Sequence, residues 1–262
     1  MMTRASGALI FLTMDVADLR EFYGSRLGQA SRRLIAHRLR ERFGNLQGAT
    51  VLGLGFAAPY LEAPTDGAER SLVFMMAQRG VMHWPEGKPN AAALVEECEL
   101  PLLESTIDFA FVIHGLELTD QPAEMLRELW RVMSPQGRLV MVVPNRRGLW
   151  ARSDVTPFGY GQPYSRPQLQ QILKETKFSP VGWSQALFMP PSERSLMLKS
   201  ATAWERFGLR TSPAFSGVII VEAVKQVYAV SARKRSRRVL ARLRPALASA
   251  KLPGAESKLK RR

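Results

Sequence analysis

The residues best suited to chemistry in this chain fall in a few short stretches. Val51-Leu52-Gly53-Leu54-Gly55-Phe56-Ala57-Ala58-Pro59 is an apolar run that ends in a glycine-punctuated turn. Gly53 and Gly55 allow backbone to approach a ligand closely, because they carry no side chain. The same pattern also serves a plain strand-to-helix turn, and both readings stand at this stage. His114 follows the apolar stretch from Ile107 to Ile113 and should therefore emerge at a strand end. An imidazole there titrates in the range useful for taking a proton from an acceptor hydroxyl or amine; it suits lining a pocket equally well. Glu117 is the second candidate for that proton. Glu96-Glu97-Cys98 stands just before Leu100-Pro101, where a carboxylate can accept from an amine or simply face solvent. Between Asn145 and Tyr164 the chain gathers Arg146, Arg147 and Arg152 with Trp150, Phe158, Tyr160 and Tyr164. Guanidinium groups fit an anionic acceptor, the rings could cover an apolar one, and a loop of this length is uncommon without a function. The alternative is a loop packed on the N-terminal helices. His83-Trp84-Pro85 is a pocket wall or a packed loop.

These groups need elements to position them. Asp15 to Phe43 carries Leu19, Phe22, Tyr23, Leu27, Leu34 and Leu39 near helical spacing, with breaks expected at Gly24 and Gly28. Thr50–Leu54 reads as a first buried strand, Pro59–Glu62 as a short helix, Ser71–Met76 as a second strand and Ala91–Glu96 as a third. Ile107–His114 is the strongest strand of the first half. Gln121–Met133 reads as a helix with Pro122 in its first turn and a stripe of Met125, Leu126, Leu129 and Trp130. Ser134-Pro135-Gln136-Gly137 should stop it, and Arg138–Pro144 is a strand apolar on both faces. A helix over Ser165–Lys177 begins with Ser165 as N-cap and Pro167 in its first turn. Strands over Val181–Met189 and Gly217–Val227 flank a helical Ser192–Phe207. Alternating strands and helices predict an α/β fold with a mainly parallel sheet.

Composition narrows the classes further. The 262 residues suit one domain of ordinary to large size, and 46% hydrophobic content excludes a mostly disordered chain. No apolar run is long enough to span a bilayer. One cysteine, Cys98, excludes an internal disulfide framework, and three histidines (His37, His83, His114) show no zinc spacing; no metal is expected, and the expected location is cytoplasmic. Residues 1–14 are expected to be a disordered extension, or a mis-assigned start with Met14 as initiator. The net charge of +14 is uneven: from Gln226 to Arg262 there are 12 Lys and Arg against one acid, Glu256, which leaves +3 for the rest. Such a tail suits a weak contact with nucleic acid or an anionic membrane, or a solvated appendage without a dedicated partner. The expected division is 1–14, a helical segment 15–48, an α/β domain 49–227 and a basic tail 228–262. Oligomeric state is not readable.

Two stretches carry a family resemblance. Arg127-Glu128-Leu129-Trp130-Arg131-Val132-Met133-Ser134-Pro135-Gln136-Gly137 is similar to the "LREIxRVLKPGG" stretch of class I S-adenosylmethionine-dependent methyltransferases of type 11. Leu100-Pro101-Leu102 followed by Asp108 resembles their "LPFPDxSFD" approach to strand four. The resemblance covers roughly residues 49 to 190. It implies a Rossmann-like, mainly parallel seven-stranded sheet with helices on both faces and a crevice at the strand ends where the order reverses. S-adenosylmethionine is the implied cofactor, held by Gly53, Gly55, Ala57, Met76, Glu96 or Glu97, and His114. The family's acid after strand one stands where this chain has Gly53. Its ribose acid after strand two has no counterpart in Phe74-Met75-Met76-Ala77-Gln78. The implied activity is methyl transfer to an unknown acceptor, with His114 as catalytic candidate and Arg146, Arg147, Trp150 and Tyr160 on the acceptor loop. The alternative is a non-catalytic member of the fold that binds or regulates through its basic tail.

Overall fold

A computed structural model of the protein describes residues 14–43, 46–62, 65 and 67–227. The expectations for residues 1–13 and for the basic tail from 228 onward lie outside the described residues. In chain order the regular elements are α1 (Val16–Gly24), α2 (Arg26–Phe43), β1 (Thr50–Gly55), α3 (Ala58–Leu61), β2 (Arg70–Met76), β3 (Ala92–Val95), β4 (Ile107–Ile113), α4 (Pro122–Val132), β5 (Met133–Pro144), α5 (Arg166–Glu175), β6 (Phe178–Ala186), α6 (Ser195–Lys199), α7 (Ala201–Thr211) and β7 (Val218–Lys225). They build one seven-stranded sheet in the order β3-β2-β1-β4-β5-β7-β6. β7 runs antiparallel to both β5 and β6, and the other pairs are parallel. This is the mainly parallel sheet that the alternating elements imply, and the seven-stranded, Rossmann-like one that the resemblance implies.

Strand alternation sorts the core into two layers. Val51, Val73, Phe111, Ile113, Val140 and Val142 pack under α1 and α2 through Leu19, Tyr23, Leu27, Ile35 and Leu39. Leu52, Leu54, Ala110, Val112, Leu139 and Met141 face the opposite way, against Met125, Leu126 and Leu129 of α4 and Leu169 and Leu173 of α5. Helices therefore cover both faces.

Several boundaries differ from the sequence pattern, each for a local reason. The N-terminal helix breaks once, at Ser25, and Gly28 lies inside α2. A Cβ on Gly28 would fall 1.8 Å from the Phe22 carbonyl oxygen, so this glycine makes the α1–α2 corner possible instead of ending a helix. β5 starts directly at Met133, because Gln136 adopts a left-handed φ of 64° and the pairing with β4 shifts register between Ile107 and Phe109. The expected stop at 134–137 is thus an irregularity within the strand. Ser165 caps α5 as expected, in a capping box with Gln168.

The stretch that resembles the family has a structural task. Glu128 of α4 accepts from the Leu100 amide at 2.7 Å and binds Arg131 at 2.6 Å, while Arg131 donates to the Leu100 and Leu102 carbonyls at 3.1 and 3.0 Å. The Arg131 hydrogen bond holds the Glu128 carboxyl below its usual range. Asp108 accepts from the Thr50 amide and from the Ser134 hydroxyl, both at 2.9 Å, and so ties the start of β1 to the start of β5.

One acid on α7 predicts a pH effect. Glu205 is buried and accepts from the Phe188 amide at 2.7 Å; burial raises its pKa, partly offset by that amide. The folded state therefore holds the Glu205 proton more tightly than the unfolded chain does. The resulting stabilisation is complete below the unfolded value of about 4.3 and is lost as pH rises through the raised one. Glu205→Gln keeps an acceptor for Phe188 and removes the charge. It should melt above the parent at pH 7 and coincide with it near pH 4 in thermal melts across that range. Equal melting temperatures at both ends would show that the charge is not penalised.

Candidate functional site

The sheet order reverses between β1 and β4, so their carboxyl ends, at Gly55 and at Ile113-His114, define the crevice where ligands bind in open α/β sheets. Gly55 has φ +81°, and a Cβ there would lie 2.4 Å from the Ile113 carbonyl oxygen and 2.6 Å from that of His114. The Phe56 amide donates to that same Ile113 carbonyl at 2.7 Å. A Cβ on Gly53 would meet Leu61 and Ala57. Of the two readings of this loop, the tight turn is therefore the one with direct contacts: both glycines make room for protein, and Ala57 is fully buried.

His114 sits just past β4 with φ 49°, an uncommon left-handed conformation for a side chain of its size and a type of strain that concentrates at functional sites. It joins a buried hydrogen-bonded chain. Tyr60 Oη donates to Tyr23 Oη at 2.9 Å, Tyr23 Oη lies 2.8 Å from His114 Nε2, and His114 Nδ1 lies 3.1 Å from Glu117 Oε1. Burial pushes both phenols well above their usual range, which keeps them protonated as donors. With Tyr23 donating to Nε2, the imidazole proton belongs on Nδ1, directed at Glu117. Glu117 Oε2 is buried and makes no protein hydrogen bond. A base held by a carboxylate on one nitrogen and presenting the other is the arrangement used for proton removal. Here Tyr23 of α1 occupies the position of the group that would lose the proton.

Aromatic rings close the space around this chain. Tyr23 stacks on Phe56 with centroids 5.6 Å apart at 17°, and Phe158 lies 4.9 Å from His114 and 6.1 Å from Phe22. Where a ribose-binding acid is expected after β2, Gln78 is exposed and Arg79 follows. The Arg79 guanidinium donates to the Met14 and Leu118 carbonyls at 3.2 and 3.0 Å, strapping the start of α1 to the loop after β4. Gly55, Met76 and His114 do come together, in a space they share with Val16, Leu19 and Phe56, but the room left there is ≈ 10 Å³. That is about one water, against the several hundred Å³ typical of ligand pockets. Roomier grooves lie elsewhere: ≈ 310 Å³ on the outer side of α1, between Asp18, Glu21 and Tyr160, and ≈ 670 Å³ between Glu62, Trp84 and Lys88.

The remaining predicted residues are placed less centrally. Glu96 is exposed, and Glu97 accepts from the Thr119 hydroxyl at 2.8 Å. Arg146 and Arg147 are exposed. Trp150, expected either to cover an acceptor or to pack, is fully buried in this arrangement and donates through Nε1 to the Met189 carbonyl at 2.7 Å. Tyr160 is partly exposed and donates to the Asp154 carbonyl at 3.0 Å. Sequence reasoning missed Tyr23, Tyr60, Phe56 and Arg79. The available signal was two tyrosines at buried positions, since a buried phenol needs a partner for its hydroxyl. Among the described residues no group of three or more His, Cys, Asp and Glu stands together as metal ligands would. None of their helices is long and apolar enough to cross a membrane.

Sheet order, switch-point crevice and strand-end histidine together define a class I methyltransferase fold. Residues 52–141, from β1 into β5, match the model of the methyltransferase domain family, a match that supports a class I methyltransferase family for this part of the chain. Solved structures share the architecture at low identity. A SAM-dependent methyltransferase from Aquifex aeolicus is 18% identical, with 81% of this chain and 100% of that one covered and a TM-score of 0.52. A Thermotoga maritima SAM-dependent methyltransferase, described as a possible histamine N-methyltransferase, is 13% identical over 80% and 96%, with a TM-score of 0.55. A putative methyltransferase from Haloferax volcanii, solved with the Trm112 methyltransferase activator, is 15% identical over 80% and 97%, with a TM-score of 0.56. No curated protein matches the chain by sequence.

Proposed function

We propose that this protein is an S-adenosylmethionine-dependent methyltransferase whose crevice is closed, in the arrangement described above, by its own helix α1. The observation that carries this reading is the family match over β1 to β5, the strands whose ends form the crevice. The acceptor is a molecule of unassigned class. Gly53, Gly55, Ala57, Met76, Glu96 or Glu97, and His114 remain the candidates for the cofactor side, and His114 held by Glu117 is the candidate base. In this arrangement S-adenosylmethionine does not fit. The ≈ 10 Å³ beside His114 is far too small, the glycines of the first loop are packed against protein, and no carboxylate follows β1 or β2. Binding therefore requires α1 to leave the strand ends, and affinity is reduced by the fraction of molecules in which it has done so.

A second reading is favoured by the same filled crevice: a non-catalytic member of the fold, in which Tyr23 and Phe56 have taken over the ligand's space. Ligand binding separates the two. A ligand that binds only the folded state adds RT ln(1 + [L]/Kd), about 2.7 kcal/mol at a hundredfold excess. For a domain of this size that is a rise in Tm of roughly 5–10 °C. The expected result is a clear rise with millimolar S-adenosylhomocysteine. No rise, either in the parent or in a variant with α1 loosened, sinks the enzyme reading.

A further inference from the structure

Consecutive helices α6 and α7 present a face that neither the crevice nor the family match uses. Ser200, Ala203 and Phe207 lie on one side where α6 runs into α7, and Leu196 of α6 stands one turn before Ser200, whose amide donates to the Leu196 carbonyl. Leu196 is 74% exposed and Phe207 64% exposed, and Phe215, just past α7, is 61% exposed. Ser200, Ala203, Trp204 and Phe207 line a shallow recess of ≈ 240 Å³. Exposed apolar side chains gathered this way mark an interaction surface. The exposed charge on α6 and α7 themselves has one sign. Lys199, Arg206 and Arg210 stand three residues after Leu196, Ala203 and Phe207, along one flank of the stripe, and all three are exposed. Between Arg194 and Phe215 the sequence holds one acid, Glu205, and it is buried on the opposite side against the Phe188 amide. The ring of Phe188 fills the space beside Gly208 so closely that a Cβ there would lie 2.3 Å from it. The helix is thus seated on the body with its apolar and cationic side outward.

We propose that this α6–α7 face docks on an anionic lipid surface, with Leu196, Phe207 and Phe215 entering the headgroup boundary and Lys199, Arg206 and Arg210 meeting lipid phosphates. Large apolar side chains next to a purely cationic flank are the composition of helices that lie in that boundary. A second copy of the chain is a poorer occupant, because a two-fold contact uses the same patch on both partners and brings two like-charged flanks together.

The test is co-sedimentation of the full-length chain with phosphatidylglycerol-containing and pure phosphatidylcholine vesicles. The parent should partition to the anionic vesicles and much less to the neutral ones. Leu196→Asp, Phe207→Asp and Phe215→Asp combined should lower that partition at least tenfold while the +11 tail is still present. Lys199→Gln, Arg206→Gln and Arg210→Gln combined should lower it about fivefold per cation. The sites are exposed, so melting temperatures should stay close to the parent's, and the second set leaves every apolar contact in place. The proposal is overturned by a parent that ignores anionic vesicles, by equal binding to neutral ones, or by partition unchanged in both sets. A vesicle-free dimer that the first set dissolves would also overturn it, because the occupant would then be a second copy.

Discussion

Replacing Tyr23 by alanine should lower the unfolding free energy by about 3–5 kcal/mol, as aromatic-to-alanine changes in cores do, and bring the melting temperature down by on the order of 10 °C. The ring is buried among Phe22, Phe56, Tyr60 and His114, so its removal leaves a ring-sized hole under α1. It also leaves His114 Nε2 and the Tyr60 hydroxyl without their partner. Tyr23→Phe separates the two contributions. It keeps the ring and removes only the hydroxyl, and should cost about 1–3 kcal/mol for the buried groups left unpaired. Urea unfolding measures both, and a loss below about 1 kcal/mol in the alanine variant would show that α1 is not packed as described. The same variant tests the closed crevice. If α1 competes with S-adenosylhomocysteine for the strand ends, weakening its packing raises the open fraction, so the ligand should raise the melting temperature of Tyr23→Ala by more than that of the parent.

Gly55→Ala should be almost as damaging, at about 3 kcal/mol. A left-handed backbone costs a residue with a Cβ roughly 1–2 kcal/mol, and forcing a methyl into a packed site costs about 1–3 kcal/mol more. The added carbon would sit 2.4 Å from the Ile113 carbonyl oxygen, an oxygen that already accepts from the Phe56 amide. The joint between β1 and β4 would have to open. Denaturant midpoints of the variant and the parent measure the loss. A change within 0.5 kcal/mol, the range typical of surface sites, would mean that this glycine does not hold the joint and would restore the reading in which it faces a ligand.

The sheet and its helices were legible because their signals are periodic and local. β1, β4 and β5 each hold a continuous apolar run, over 51–55, 109–113 and 139–144, as strands covered on both faces do. α4 shows its buried stripe at Met125, Leu126 and Leu129 with Pro122 at its start. The family-like stretch was legible for a reason that the structure supplies: Glu128 and Arg131 clamp the backbone at Leu100 and Leu102. Residue types at that spacing are needed to hold the turn before β4, whatever the crevice binds. The left-handed bend at Gln136 escaped notice because a strand continuing through an irregularity and a strand preceded by a turn read alike in one dimension.

The site divides along the same line. From the sequence alone, Leu19, Tyr23 and Leu27 belong to the buried side of a helix, His114 stands at a strand end, and no acid follows β1 or β2. The sequence also concentrates positive charge after Gln226. Helical periodicity tells which side chains leave water and is silent on what they meet. Tertiary structure alone decided that α1 lies over the strand ends, that Tyr23 reaches a histidine 91 residues away, and that Trp150 is buried with its Nε1 on the Met189 carbonyl. It likewise decided that Glu205 turns inward while Lys199, Arg206 and Arg210 turn out. Such pairings are set by close packing between elements distant in the chain, where every buried phenol, carboxylate and guanidinium must find a partner, and no single segment carries that requirement by itself.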